Sequence, residues 1–271
     1  MEKLCQDLLD LVNTPGPSGR EERVGYLIKE RINPFVSKVK FDEMGNVVAI
    51  KQGPEKAPVI MLLAHMDEVS MVVTSTKDGF VLFDYVGTIN PAVVVGHPVL
   101  VLTQKGNAPG VVCSPSVHLG QPEGKFWIDV GSRVDLVEPG DPIIFDTTPR
   151  WLDIEKKILA SKAIDDRAGC AVLIDIARNL ADVNLNVTVV FAFTVQEEVG
   201  ARGAQFVARQ IHPNQAIAVD NNHALDLWAG PELAFPLGSG PVIRRFESIK
   251  PGRGMYINFS LLMQILISLI L

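Results

Sequence analysis

Two adjacent glutamates, Glu197 and Glu198, close an apolar run that extends from Asn186 to Gln196. The run, Asn-Val-Thr-Val-Val-Phe-Ala-Phe-Thr-Val-Gln, is β-branched and aromatic without polar alternation. It therefore reads as a strand buried on both faces of a parallel sheet. Gly200 follows, and residues 201–210 open a helix. The two acids thus stand at the carboxyl end of a central strand, where open α/β sheets form their ligand crevices. Adjacent side chains point different ways, so one carboxylate can ligate a metal while its neighbour faces a substrate. A Glu-Glu pair alone is more often a solvated loop tip, but three further segments reverse that preference. Residues 58–64 run into His65, Asp67 and Glu68, and residues 216–219 run into Asp220. Residues 158–160 are followed by Ser-Lys-Ala-Ile and then Asp165 and Asp166, at the start of a helix from Arg167 to about Leu180. Singly, His65 reads as a core histidine and Asp165 as a helix cap. Converging on one sheet edge, one imidazole and several carboxylates make a ligand set suited to zinc, cobalt or manganese.

The elements that must carry these residues fall into three stretches. Residues 1–70 read as a helix, the turn Pro15-Gly-Pro-Ser-Gly19, a second helix, and strands near 37–51 and 58–65. From 71 to 157 the pattern changes to short strands broken by Gly and Pro, around 80–85, 97–102, 110–113, 126–130 and 142–145, with no helix among them. That stretch reads as a β-rich barrel or sandwich. Helix and strand alternate again over 158–271. The expected fold is therefore a three-layer α/β/α catalytic domain, residues 1–70 and 158–271, with residues 71–157 inserted. The apolar segment 256–271 is too short and too interrupted by Asn258, Ser260, Gln264 and Ser268 for a membrane span, and reads as a core helix.

Composition narrows the class. With 31 acidic against 25 basic residues the net charge is −6, and no basic stripe appears, so neither nucleic acid nor membrane is expected as a partner. Cys5, Cys113 and Cys170 form no CxxC pair, which points to reduced thiols and a cytoplasmic location. The amphipathic, acidic start of the chain does not read as a secretory leader.

Three stretches, His65-Met-Asp-Glu-Val69, Ala163-Ile-Asp-Asp-Arg-Ala-Gly-Cys170 and Gln196-Glu-Glu-Val-Gly-Ala-Arg-Gly-Ala204, resemble the signatures of metallopeptidase family 42. These are the glutamyl, deblocking and tetrahedral aminopeptidases, some with a cellulase-like name. The resemblance implies a zinc-peptidase-type fold, short peptide substrates, homo-oligomers and two divalent ions per subunit, zinc or cobalt. It implies His65 and Asp220 on one ion, Glu198 on the other, Asp165 bridging both, Glu197 as general base, and Asp67 behind His65 fixing its imidazole. Such ions, roughly 3.5–4 Å apart, share and acidify a water. The family's further His, near the carboxyl terminus, has no counterpart among His65, His97, His118, His212 and His223. The chain is therefore expected to be C-terminally incomplete and of impaired activity. The alternatives are another amide hydrolase, such as a deacylase, on the same site, or a non-catalytic chain that forms oligomers. A glycosidase is disfavoured, because its two acids must face each other about 5 Å or more apart across the bond.

Overall fold

The computed structural model describes residues 2–115, 126–155, 158–222, 237–238, 240–243, 246–250 and 253–256. The chain divides into two compact units, residues 1–220 and 221–271. The first unit opens with helices α1 (Glu2–Asn13) and α2 (Glu22–Ile32), then strands β1 (Lys38–Phe41), β2 (Val47–Lys51) and β3 (Val59–His65). Strands β4 (Ser70–Lys77), β5 (Phe80–Val86), β6 (Pro98–Val101), β7 (Ala108–Cys113), β8 (Trp127–Asp129) and β9 (Pro142–Phe145) follow. Next come β10 (Arg150–Asp153), β11 (Ile158–Ala160), α3 (Ile164–Asn179), β12 (Thr188–Thr194), α4 (Arg202–Ile211) and β13 (Gln215–Ala218). Within the second unit, β14 (Phe246–Lys250) and β15 (Arg253–Tyr256) pair antiparallel. Tyr256, where a helix was expected to begin, thus ends a strand, and residues 257–271 lie outside the described residues.

The central sheet has five strands in the order β1-β2-β12-β3-β13. It is mixed rather than parallel: β12 runs parallel to β3 and antiparallel to β2, while β13 runs parallel to β3. All seven residues of β12 are buried, which is why its sequence lacks polar alternation. Successive side chains of a strand point to opposite faces. Val189, Phe191 and Phe193 accordingly join Val47 and Ala49 in a core with Leu11 of α1, Val24 and Ile28 of α2, and Leu173 and Ile174 of α3. Val190 and Ala192 face the other way and pack with Val48, Met61 and Val207 of α4. Two helical layers therefore cover one sheet, the expected α/β/α arrangement.

The strands between 70 and 145 close into a barrel, in the order β4-β5-β8-β7-β6-β9. Met71, Val73, Val81, Val99, Val101, Val112, Ile128 and Ile143 fill it, in the manner of small barrels whose interiors are packed with side chains. Two departures appear here. The first barrel strand, β4, was not anticipated, and the segments Pro91–Val93 and Gly131–Leu136 form short 3-10 turns in a stretch expected to hold no helix. A third correction bears on the site. β11 pairs with β10 in a separate two-stranded ribbon, so Asp165 does not follow a strand of the central sheet as His65, Glu197 and Asp220 do. Among the described residues, no helix is long and apolar enough to cross a membrane.

Phe193 is fully buried in the larger core. Phe193→Ala should destabilise the chain by about 3–5 kcal/mol, read as a lower urea midpoint with an unchanged slope. Phe193→Leu should cost less than about 1.5 kcal/mol.

Candidate metal centre

Register brings the first two site segments together. β12 and β3 are level to their last residues, with Thr194 opposite His65, and Met66 N donates to Thr194 O at 2.8 Å. Past this point the chain from β3 turns toward the barrel through Asp67 and Glu68, while the chain from β12 turns into Glu197 and Glu198. On the other side of β3, Val219 N still donates to Leu63 O at 2.8 Å, so Asp220 emerges at the same edge. The fourth segment arrives from α3. Asp165 and Asp166 have non-helical backbone angles, and the regular helix begins behind them. Buried Arg167 ties that start to the N-terminal segment, donating from Nη1 to Leu11 O (2.7 Å) and Thr14 O (3.0 Å).

His65 sits between carboxylates. Its Nε2 lies 3.0 Å from Asp165 Oδ1, and its Nδ1 lies 3.3 Å from Asp67 Oδ1, a close ion pair rather than an aligned hydrogen bond. Burial lowers the imidazole pKa, but hydrogen bonds and charge from Asp165, Asp67 and Asp166 outweigh it and push it up to about 11. Asp67 is fully buried and surrounded by donors. Its Oδ2 accepts from Ser18 Oγ at 2.6 Å and Glu198 N at 3.2 Å, and its Oδ1 accepts from Glu197 N at 2.9 Å. Burial alone would raise its pKa, yet these bonds and His65 hold it below the ordinary carboxylate range.

For the neighbouring acids burial outweighs the compensation. Burial, with nearby like charge, raises Glu197 and pushes Glu198 up to about 7. Asp166, also fully buried, rises to about 8 through burial, with Asp220 adding repulsion. Its Oδ2 accepts from His65 N at 3.1 Å and its Oδ1 from Gly169 N at 3.0 Å. Position 169 must be Gly for this to hold, because a Cβ there would stand 2.4 Å from Asp166 Oδ1.

Two groups of side chains offer ligand atoms within 4.8 Å of one another: His65, Asp165 and Glu198, and His65, Asp166 and Asp220. The structure thus gathers every residue expected to ligate. It adds Asp166, which the sequence offered only as a neighbour of Asp165, and it groups Asp220 with Asp166. The donor set fits a divalent cation, since one imidazole and several carboxylates crowd together, with the pKa values of His65, Asp166 and Glu198 driven upward. Glu68 is occupied elsewhere. Lys162 Nζ donates to its two oxygens at 3.0 and 2.7 Å, and Gly16 N donates to Oε1 at 3.0 Å. His97 packs edge-on against Phe145 in the barrel, His212 caps the end of α4, and His118 and His223 lie outside the described residues. Ser18 and Glu21 went unnoticed in the sequence, where Pro15–Gly19 read only as a turn. Its density of Gly and Pro, with Glu21 and Glu22 just past the intervening Arg20, was the available signal.

The raised carboxylates set a pH dependence for the metal-free protein. A group whose pKa is higher folded than unfolded stabilises the fold below its unfolded pKa and loses that contribution as pH rises through the folded value. Asp166, Glu198 and His65 all have this sign. After chelation, the melting temperature should therefore fall between about pH 6 and pH 9, and Asp166→Asn should flatten the fall. Thermal unfolding across that range checks both, and a melting temperature that rises would contradict the charge crowding.

Comparison with known proteins agrees with this architecture. Residues 45–258 match the family described as M42 glutamyl aminopeptidase. Over 256 residues the chain is 30% identical to the lysyl aminopeptidase of Pyrococcus furiosus, an alignment spanning 89% of this chain and 73% of that one. The solved structure of aminopeptidase APDkam598 from Desulfurococcus kamchatkensis superposes with a TM-score of 0.81 at 30% identity, covering 89% of this chain and 69% of that one. The Pyrococcus horikoshii TET1 peptidase, described as assembling into a tetrahedron or a large octahedral shell, superposes with a TM-score of 0.71 at 33% identity, covering 80% and 68%. The chain belongs to the M42 glutamyl aminopeptidase family, metal-dependent hydrolases of peptide bonds.

Proposed function

We propose that the chain releases N-terminal residues from short peptides, with two divalent cations, zinc or cobalt, held by His65, Asp165, Glu198 and Asp220. The observation that carries this reading is the pair of ligand groups that share His65. Bound there, the cations would polarise the scissile carbonyl and lower the pKa of a water. Asp165, which stands with His65 and Glu198 in one of the two groups, would hold both ions, as the family resemblance implies. Glu197 is the general base. It is half-buried beside the cluster with its pKa raised, so it can take a proton from water and hold it long enough to deliver it to the leaving amine. Asp67 orients the imidazole through Nδ1, as an outer carboxylate does for a ligating His, and fixes the Glu197 and Glu198 amides at the same time.

The proposal extends to organisation. Residues 1–70 and 158–271 are read as the catalytic domain and 71–157 as the inserted β-domain, a division that sheet strands on both sides of the barrel in sequence support as far as β13. Assembly into a homo-oligomer is supported by the likeness to the TET1 peptidase, and a cytoplasmic location by three free thiols.

A panel of aminoacyl-anilides, N-acyl amino acids and cellulose, each with and without added zinc or cobalt, separates the readings. Metal-stimulated hydrolysis of the anilides is expected. Cleavage of N-acyl amino acids alone would favour a deacylase, and no hydrolysis at all a non-catalytic role. Glu197→Gln should retain the metal content of the unsubstituted chain and lower turnover by about 10²–10⁴-fold. Glu198→Gln should lose metal, measured by elemental analysis after gel filtration. Equal metal loss in both would reverse the two assignments.

A further inference from the structure

The chain leaving β12 is gripped one amide at a time. Val195 N donates to Asn46 Oδ1 at 2.9 Å, Gln196 N to Glu21 Oε1 at 3.0 Å, Glu197 N to Asp67 Oδ1 at 2.9 Å, and Glu198 N to Asp67 Oδ2 at 3.2 Å. Four successive N–H groups beyond the last strand residue are thus taken by side chains from three distant segments. The acceptors are themselves fixed. Asn46 is fully buried, and its Nδ2 donates to Asp42 Oδ2 (2.7 Å) and to Gly203 O (3.1 Å). Glu21, only 5% exposed, also accepts from Gly19 N at 2.8 Å through the same Oε1. Gly203 gives Asn46 its room, since a Cβ there would stand 2.3 Å from Asn46 Oδ1. Between these anchors Gln196 holds φ +56°, a left-handed conformation that non-glycine residues adopt only when their surroundings impose it.

We infer that Glu21 and Asn46 are positioning residues that fix where Glu197 and Glu198 stand. The inference rests on the reading above, in which that pair supplies the base and a metal ligand. Neither Glu21 nor Asn46 belongs to the ligand groups; they act on the peptide that carries the pair. Asp67 sets the amides of Glu197 and Glu198, Glu21 the amide before them and Asn46 the one before that, so the turn cannot pivot about its exit from the sheet. The segment Ser18–Glu21 thereby couples the N-terminal region to the site, through Ser18 on Asp67 and Glu21 on Gln196.

Both amides that Glu21 accepts bond to one oxygen, so an amide oxygen in its place can accept them too. Glu21→Gln is therefore the conservative variant and Glu21→Ala the disruptive one, with Asn46→Ala as a second disruption from another segment. Three readouts apply: hydrogen exchange at the Glu197 and Glu198 amides of the chelated protein, zinc titration of the same protein, and kcat and KM on an aminoacyl-anilide. For Glu21→Ala and Asn46→Ala, exchange at Glu197 and Glu198 should quicken and zinc affinity fall, each by about tenfold. kcat should drop by about 10–100-fold with KM within about threefold, since a misplacement of about 1 Å costs about 10²-fold. Glu21→Gln should stay near the unsubstituted chain in all three. If Glu21→Ala does not fold, Glu21→Asp, one methylene too short to reach Gln196, replaces it with the same expectations. A lower melting temperature with unchanged exchange at Glu197 and Glu198 and unchanged zinc affinity would overturn the inference and leave Glu21 a purely structural residue. An unsubstituted chain that binds zinc but cleaves no anilide would overturn the aminopeptidase reading, while the exchange and zinc comparisons would still decide this one.

Discussion

Negative charge crowded around a single imidazole is the constraint on which the site depends. Asp67, Asp165, Asp166, Glu198 and Asp220 all act on or stand beside His65. Like charges about 5 Å apart repel by roughly 3 kcal/mol at an effective dielectric of about 20. An isolated chain segment would relieve this by swinging its acids into water. The fold limits this by fixing the backbone: His65, Glu198 and Asp220 follow sheet strands and Asp166 is buried at the start of a helix, although Asp165 and Asp220 keep exposed side chains. What remains is protonation, seen in the raised pKa values, or a cation. A site that stores repulsion between fixed carboxylates is one that a divalent ion discharges, and this links the sheet's geometry to metal-dependent hydrolysis.

The same carboxyl group behaves differently according to its neighbours. Asp67 is as buried as Asp166, yet its pKa falls while that of Asp166 rises. Donors decide it: a hydroxyl and two amides bond to Asp67 beside the imidazole, whereas Asp166 has two amides and, against the charge of His65, the opposing charge of Asp220. Glu68 is neutralised by Lys162, 2.7 Å away, deep inside the protein. Acids that hold the scaffold are thus surrounded by protein donors, whereas Asp166, Glu197 and Glu198 face the charge of neighbouring acids as well as that of His65. Environment sorts the roles, and each carboxylate becomes either a support or a candidate ligand.

The large features were legible in the sequence because they are local. β12 announced itself through burial on both faces, and the change from helix–strand alternation to short strands marked the barrel. β4 was hidden because Ser70–Lys77 continues directly from the His65 segment with no turn signal. The ribbon of β10 and β11 was missed because strand type says nothing about strand partner. At the site, the convergence of His65, Asp165, Glu198 and Asp220 followed from motif and position at strand or helix ends. The place of Asp166 did not, since two identical neighbours at a helix start differ only in backbone angles. Glu21 and Asn46 were invisible for another reason. They act on amides 175 and 149 residues away, and a side chain that accepts from a distant backbone leaves no periodic trace.

The most direct test is to locate the metal. Crystals of the chain grown with zinc and measured at the zinc absorption edge would show where the ions sit. The account predicts anomalous density beside His65 Nε2, at about 2.0–2.1 Å, with carboxylate oxygens of Asp165 and of Asp220 or Glu198 at about 2.0–2.2 Å. Zinc held elsewhere on the chain, with His65 still paired only to Asp165 and Asp67, would contradict it.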